Sequence, residues 1–178
     1  MRWTAILAIG ALVAVSGCKG ELKDPNKLKL QTYTKAQGTS WEKYEGIVQM
    51  KTAVVTRMSG QRYLTFQEGE AGCDVLEKRA EGVRVNVALD GLSKGQADGS
   101  EPLKGVMPSR GAVILIKGFN SMLLLHDAKK SEVAWRGGQI KPGAEVSGTI
   151  DIHENPDRPL AEGRYSIIQG SFRAKVCP

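Results

Sequence analysis

The sequence predicts an all-β domain: an antiparallel β-sandwich, with a small flattened β-barrel as the alternative, closed by one disulfide. Three observations lead there. Apolar and polar residues alternate with period two over several segments, as strands with one buried and one wet face require. Glycine and proline punctuate the chain, 21 and 7 of them, and leave little room for long helices. Of three cysteines, Cys18 lies near the N-terminus, while Cys73 and Cys177 lie in the strand-rich part of the chain.

Residues 1–17 come first, "MRWTAILAIGALVAVSG". Arg2 supplies a positive charge, Ala5 to Val15 an apolar run, and small residues follow. That is the order of a secretory signal peptide. The run is too short to cross a bilayer comfortably, since a helix needs about 20 residues for that. Val15-Ser16-Gly17-Cys18 resembles the lipobox of bacterial lipoproteins. The resemblance implies a diacylglycerol on the Cys18 sulfur, cleavage before it, and acylation of the new amino group with a palmitate-like chain. One acyl chain binds membranes marginally, and each buried CH₂ adds about 0.8 kcal/mol, so two or three chains hold durably. By analogy with other lipoproteins, Lys19 is not the aspartate that favours inner-membrane retention, so the outer membrane is the expected address.

Cleavage removes one basic side chain and no acidic one, so the +6 of the full chain becomes +5 over 161 residues. That length fits one domain with a real core. Residues 18–40 carry Lys19, Lys23, Lys27, Lys29 and Lys35 and few core formers. They read as a lysine-rich tether against anionic head groups, each lysine worth about 1 kcal/mol near such a surface. Lys27-Leu28-Lys29-Leu30 alternates and is compatible with a short edge strand. The β-domain then spans 41–178. The positive balance suits lipid head groups or acidic polysaccharide. Nucleic acid is not expected, because no basic motif interleaved with aromatics occurs.

Along the domain, "GIVQMKTAVVTRM" and "QRYLTFQ" flank Ser59-Gly60, a hairpin signal. In "VRVNVALD", Val83, Val85, Val87 and Leu89 point inward, and Arg84, Asn86 and Asp90 outward. "AVILIKGF" and "SMLLLHD" are apolar on both faces and turn at Gly118-Phe119-Asn120. "EVSGTIDIHE" sets Val146, Ile150 and Ile152 against Ser147, Thr149, Asp151 and His153. "GSFRAKVC" sets Phe172, Ala174 and Val176 against Ser171, Arg173 and Lys175. Gly170 marks a bulge or bend, and "CDVLEKRAEG" has room for one helical turn. Eight to ten strands of uneven length favour the sandwich. Trp41 and Tyr44 are expected to pack over the sheet, with a place at the membrane interface as the alternative.

Export places Cys73 and Cys177 in an oxidising compartment, where an even pair is most simply a disulfide; two free buried thiols are the alternative. A bridge would close a loop 104 positions long, worth roughly 4–5 kcal/mol in the chain-entropy model.

Candidate chemistry is sparse. "GLSKG", residues 91–95, matches the G-x-S-x-G of a nucleophile elbow, which needs a strand before and a helix after. "QADGSEPLKG" follows, broken by glycine and proline, so Ser93 reads as part of a polar loop. His126 and His153 stand beside acidic residues, and Asp151 shares a strand face with His153. No H-x-H, H-E-x-x-H or C-x-x-C spacing accompanies them, so no metal or cofactor is expected. Arg164, Arg173 and Lys175, with Arg136 and Lys141 upstream, make a basic strand face able to contact a partner protein or an acidic glycan. Such a face also guards an edge strand against aggregation.

The lipobox VSGC, "LTFQEGEAGC" leading to a mid-chain cysteine, "VSGTIDI" and the ending "GSFRAKVCP" together resemble small cell-envelope lipoproteins of the myxobacterial type. The resemblance implies the sandwich and the Cys73–Cys177 bridge and brings no active residues with it. The expected function is that of a non-enzymatic outer-membrane lipoprotein. It would hold to the membrane through acylated Cys18 and contact an envelope protein in a motility, secretion or surface-assembly complex. A binding module for an acidic glycan or a lipid is the alternative, and an envelope hydrolase comes third.

Overall fold

A computed structural model describes residues 24–34, 41–78, 80, 82–109, 111–116, 119–124, 130–155 and 164–178. Eleven strands occur among them: β1 (Lys27–Thr34), β2 (Glu42–Gln49), β3 (Thr52–Met58), β4 (Gln61–Gln67), β5 (Val83–Ala88), β6 (Gly105–Pro108), β7 (Gly111–Ile116), β8 (Phe119–Leu124), β9 (Lys130–Gly137), β10 (Glu145–His153) and β11 (Ile167–Val176). One short helix, α1 (Lys94–Asp98), lies between β5 and β6.

The hydrogen-bonded order is β6-β9-β10-β11-β3-β4-β5-β7-β8, with β1 also on β11 and β2 on β1. The sheet is not closed into a barrel. Its two arms fold over one apolar core, which gives the two layers expected of a sandwich. Phe66 of β4 and Phe172 of β11 meet across the layers, ring centroids 6.0 Å apart and edge to face. Among the described strands every pairing is antiparallel except β11 on β3, where Lys175 and Val176 stand beside Val54 and Val55. The sheet is therefore mixed.

The long last strand explains the branching. Its first half pairs with β1, Ile167 to Ser171 against Gln31 to Lys27. Where β1 begins, β3 takes its place beside β11. Met50 and Lys51 carry the chain across by one strand position, held by the Met50 N–H donating to Asn26 O at 2.8 Å.

The inward residues of β5, β10 and β11 are buried as alternation requires: Val83, Val85, Val87, Val146, Ile150, Ile152, Phe172, Ala174 and Val176. Each large apolar side chain buried here contributes about 1.5–3 kcal/mol. Four expectations change. Leu28 and Leu30, expected in the tether, are fully buried, because β11 and β2 flank β1 on both sides; the domain begins near residue 27. Gly170 sits in regular register opposite Leu28 and Ile150. A Cβ there would lie 2.3 Å from Lys27 O and 2.7 Å from Leu28 Cδ2, so close strand approach, not a bulge, requires the glycine. β7 and β8 pair from Ile116 and Phe119, which makes Phe119 and Asn120 part of a strand. Finally, Arg84 is buried.

Arg84 is buried because the segment after β4 covers the outer face of β3, β4 and β5. Its Nε donates to Gln67 Oε1 at 2.8 Å and its Nη2 to Lys78 O at 2.9 Å. Thr52 Oγ1 accepts the Ala71 N–H at 2.8 Å, and Thr56 Oγ1 donates to Cys73 O at 3.4 Å. Val54, Val75 and Cys177 form a second small core under this cover. Cys73 and Cys177 are bridged, their Cα atoms 5.5 Å apart, which ties the cover to the end of β11. Desolvation holds the Arg84 pKa below its ordinary value. The helical turn expected near "CDVLEKRAEG" is present as a turn at Asp74, whose carbonyl accepts the N–H groups of Glu77 and Lys78.

Candidate functional site

The outer face of β9, β10, β11, β1 and β2 is a wet surface that spans five neighbouring strands. Alternation sends every second side chain there. Lys130, Arg136, Arg173, Lys175, Lys27, Lys29, Lys43 and Glu45 are exposed, while Glu132, Thr149, Asp151 and Gln169 are half-buried. Register places Glu132, Asp151, Gln169, Lys29 and Ile47 in one row across five strands.

Asp151 is the hub of that row. One carboxylate oxygen, Oδ1, accepts from Gln169 Nε2 at 2.9 Å and lies 2.9 Å from His153 Nε2. The other pairs with Lys130 Nζ, which also reaches Glu132 at 3.7 Å. Gln169 Nε2 and His153 Nε2 are 3.0 Å apart. Burial pushes the Asp151 pKa up, but the bonds from Lys130, Gln169 and His153 outweigh it and hold the carboxyl below its ordinary value. The same pair raises Lys130. Sequence alternation places Asp151 and His153 on one face; Lys130 and Gln169 arrive from neighbouring strands. Among the described residues no group of three or more His, Cys, Asp or Glu is placed to hold a metal ion.

The basic residues singled out from the sequence separate. Arg173 lies 3.3 Å from Glu145, and its N–H donates to Asn26 Oδ1 at 2.9 Å. Lys175, two residues on, stands opposite Glu145 in register. Arg164 belongs to the other end. At about 3.3 Å per residue, Ile167 and Lys175 are roughly 26 Å apart along β11, and Arg164 precedes Ile167. Its guanidinium stacks over the Trp41 ring, 5.5 Å from the centroid. Trp41 is exposed and Tyr44 packs against the main core. The face thus carries two basic ends, Arg173 with Lys175 and Arg164 on Trp41. Cys18 and His126 lie outside the described residues.

Ser93 has a structural role. Its Oγ accepts the Gln96 N–H at 3.1 Å, while Gln96 Oε1 accepts the Ser93 N–H at 3.1 Å, a capping box on α1. The helix after Ser93 does form, one short turn stopped by Gly99 in the left-handed region. A Cβ on Gly91 would lie 2.6 Å from Met107 Cγ, and one on Gly95 2.5 Å from Glu101 Cδ. The Cβ on Gly91 would also lie 2.8 Å from Pro108 O, so Gly91 serves close packing, whereas the one on Gly95 would meet only the exposed Glu101 side chain. Among the described residues the Ser93 hydroxyl bonds to no histidine.

No protein-family model, curated protein or solved structure matches this chain.

Proposed function

We propose that this chain is a lipid-anchored cell-envelope protein, held at the outer membrane through acylated Cys18, and that it acts without catalysis as an interaction component of an envelope complex. The observation that carries the reading is the contrast between its two sheet faces. The inner face is filled by packed Leu, Ile, Val and Phe side chains. The outer face of β9–β10–β11–β1–β2 presents rows of charged and small polar side chains, with Ile47 68 % exposed among them. Among the described residues the inner face is taken up by packing, whereas an exposed face of interspersed charges suits a partner of complementary charge. Cross-strand hydrogen bonds around Asp151 hold its side chains in place, which lowers the ordering cost of docking.

The test is photo-crosslinking in cells from the full lipidated protein, with a photoreactive residue at Thr149 or at exposed Val106 on β6. A discrete protein adduct from Thr149, weakened by Lys29→Glu, is the expected result. Recovery of a glycan or lipid with no protein adduct would overturn the reading.

A further inference from the structure

The β3–β4 hairpin turns through Ser59 (φ 50°) and Gly60 (φ 84°), a type I′ geometry that matches strand twist. One residue further out on each strand, Arg57 and Arg62 stand directly opposite each other. Like charges in that position are destabilising. Among the described residues neither forms an ion pair with a carboxylate, and their bonds use only Nε: Arg57 to Gly60 O at 3.3 Å and Arg62 to Ala97 O at 2.9 Å. The Nη edges of both guanidinium groups are left to other acceptors.

These two residues form one wall of a cleft of about 430 Å³, within the range of small-ligand sites. Leu89 and Leu92 give it an apolar part, and Lys94 and Asp98 of α1 line it together with Asp90, so three cations and two carboxylates face the cleft. The α1 side is well braced. The capping box fixes the start of α1, Ser93 Oγ donates to Glu101 Oε2 at 3.3 Å, and Ser100 N–H donates to Asp98 Oδ1 at 2.8 Å. The "GLSKG" segment thus shapes one side of a cleft in which cations outnumber carboxylates by one.

We propose that this cleft binds an acidic saccharide, with a uronic-acid carboxylate held between Arg57 and Arg62. Guanidinium groups present paired N–H donors matched to a carboxylate. One anion between them relieves the repulsion that the hairpin register imposes. Lys94 donates to, and the Asp98 carboxylate accepts from, ring hydroxyls, while Leu92 meets the C–H face of the sugar. A free phosphate uses only the cations; the saccharide also uses the carboxylate and the leucines. This site is separate from the β9–β10–β11–β1–β2 face and stands whether or not that face binds a protein.

Calorimetric titration of the full lipidated protein in detergent with tetragalacturonate tests the proposal, with maltotetraose and inorganic phosphate as the comparison arms. Binding of tetragalacturonate is expected, with none of maltotetraose and at least tenfold weaker binding of phosphate. Arg57→Gln and Lys94→Gln alter exposed side chains, so melting should stay near that of the parent. Each should weaken tetragalacturonate at least fivefold. No binding of tetragalacturonate, phosphate binding equally tight, or affinity unchanged within twofold in both variants would each overturn the assignment.

Discussion

Trp135 and Phe172 meet edge to face over Gly148, their ring centroids 5.4 Å apart and their planes perpendicular. Gly148 on β10 is the register partner of both, Trp135 on β9 and Phe172 on β11. A Cβ there would lie 2.3 Å from Ala134 O and 2.8 Å from Phe172 Cζ. The missing side chain lets two aromatic rings close across three strands, and Phe172 then carries the contact to Phe66 in the other layer.

Gly148→Ala should therefore destabilise the domain by about 1–3 kcal/mol, since the added methyl meets backbone and a packed ring. Trp135→Ala should cost about 3–5 kcal/mol. Trp135→Phe should cost clearly less than Trp135→Ala, because it keeps an aromatic ring against Phe172, and the loss of the buried, unpartnered Nε1 leaves nothing unpaired. Urea melts of the three variants check the order.

The Cys73–Cys177 bridge closes a separation of 104 residues. Cys177→Ser should lower stability by about 4 kcal/mol, within the roughly 2–5 kcal/mol typical for native bridges. Loss should be felt first in the cover over β3–β5, where Arg84 is held by Gln67 and Lys78 O. Hydrogen exchange should therefore rise at Ala71 and Val83 before it rises at Ile150. Uniform exchange across the domain would count against a separately tethered cover.

Asp151 makes stability pH-dependent with a definite sign. Its folded pKa lies below its ordinary value, so its contribution is complete above the unfolded pKa, near 4, and fades as pH falls through the folded one. Asp151→Asn should cost about 1 kcal/mol or less at pH 7, since the site is partly solvated. It should also flatten the stability loss of the parent below about pH 4. Paired melts at pH 7 and pH 3 measure both effects.

Cys18→Ser should abolish incorporation of labelled fatty acid and leave the signal peptide attached. Unchanged fatty-acid incorporation would remove the lipid anchor from the proposed function.

Much of the strand pattern was legible because one-sided burial imprints period two directly on sequence. β10 and β11 place Val146, Ile150, Ile152, Phe172, Ala174 and Val176 in the core on the faces that alternation predicts. The same rule misplaced Arg84, since alternation reports that two faces differ and is silent about a distant segment that covers the polar one. The burial of Leu28 and Leu30 is hidden in the sequence for a related reason. Two leucines between lysines look like a weak edge, and only β11, roughly 140 positions away in sequence, makes their strand interior.

The sites divide along the same line. Cys73 with Cys177, and Asp151 with His153, were readable from residue chemistry, compartment and spacing on one strand. In sequence Arg164 extends the basic face of Arg173 and Lys175, but strand length carries it to the other end. No local signal marks Arg57 and Arg62 as a pair, because they look like two solvated charges until a hairpin sets them opposite each other.

The sequence by itself determined the all-β class, the disulfide partners and the inward residues of each strong strand. Those follow from the periodicity of a single strand and from counting cysteines. Tertiary structure alone decided that β11 serves β1 along its first half and β3 at its end, that a buried arginine lies beneath the disulfide-tied cover, and that two arginines face one cleft. Such features depend on which distant strands become neighbours, and that choice is made by the packing of the whole core.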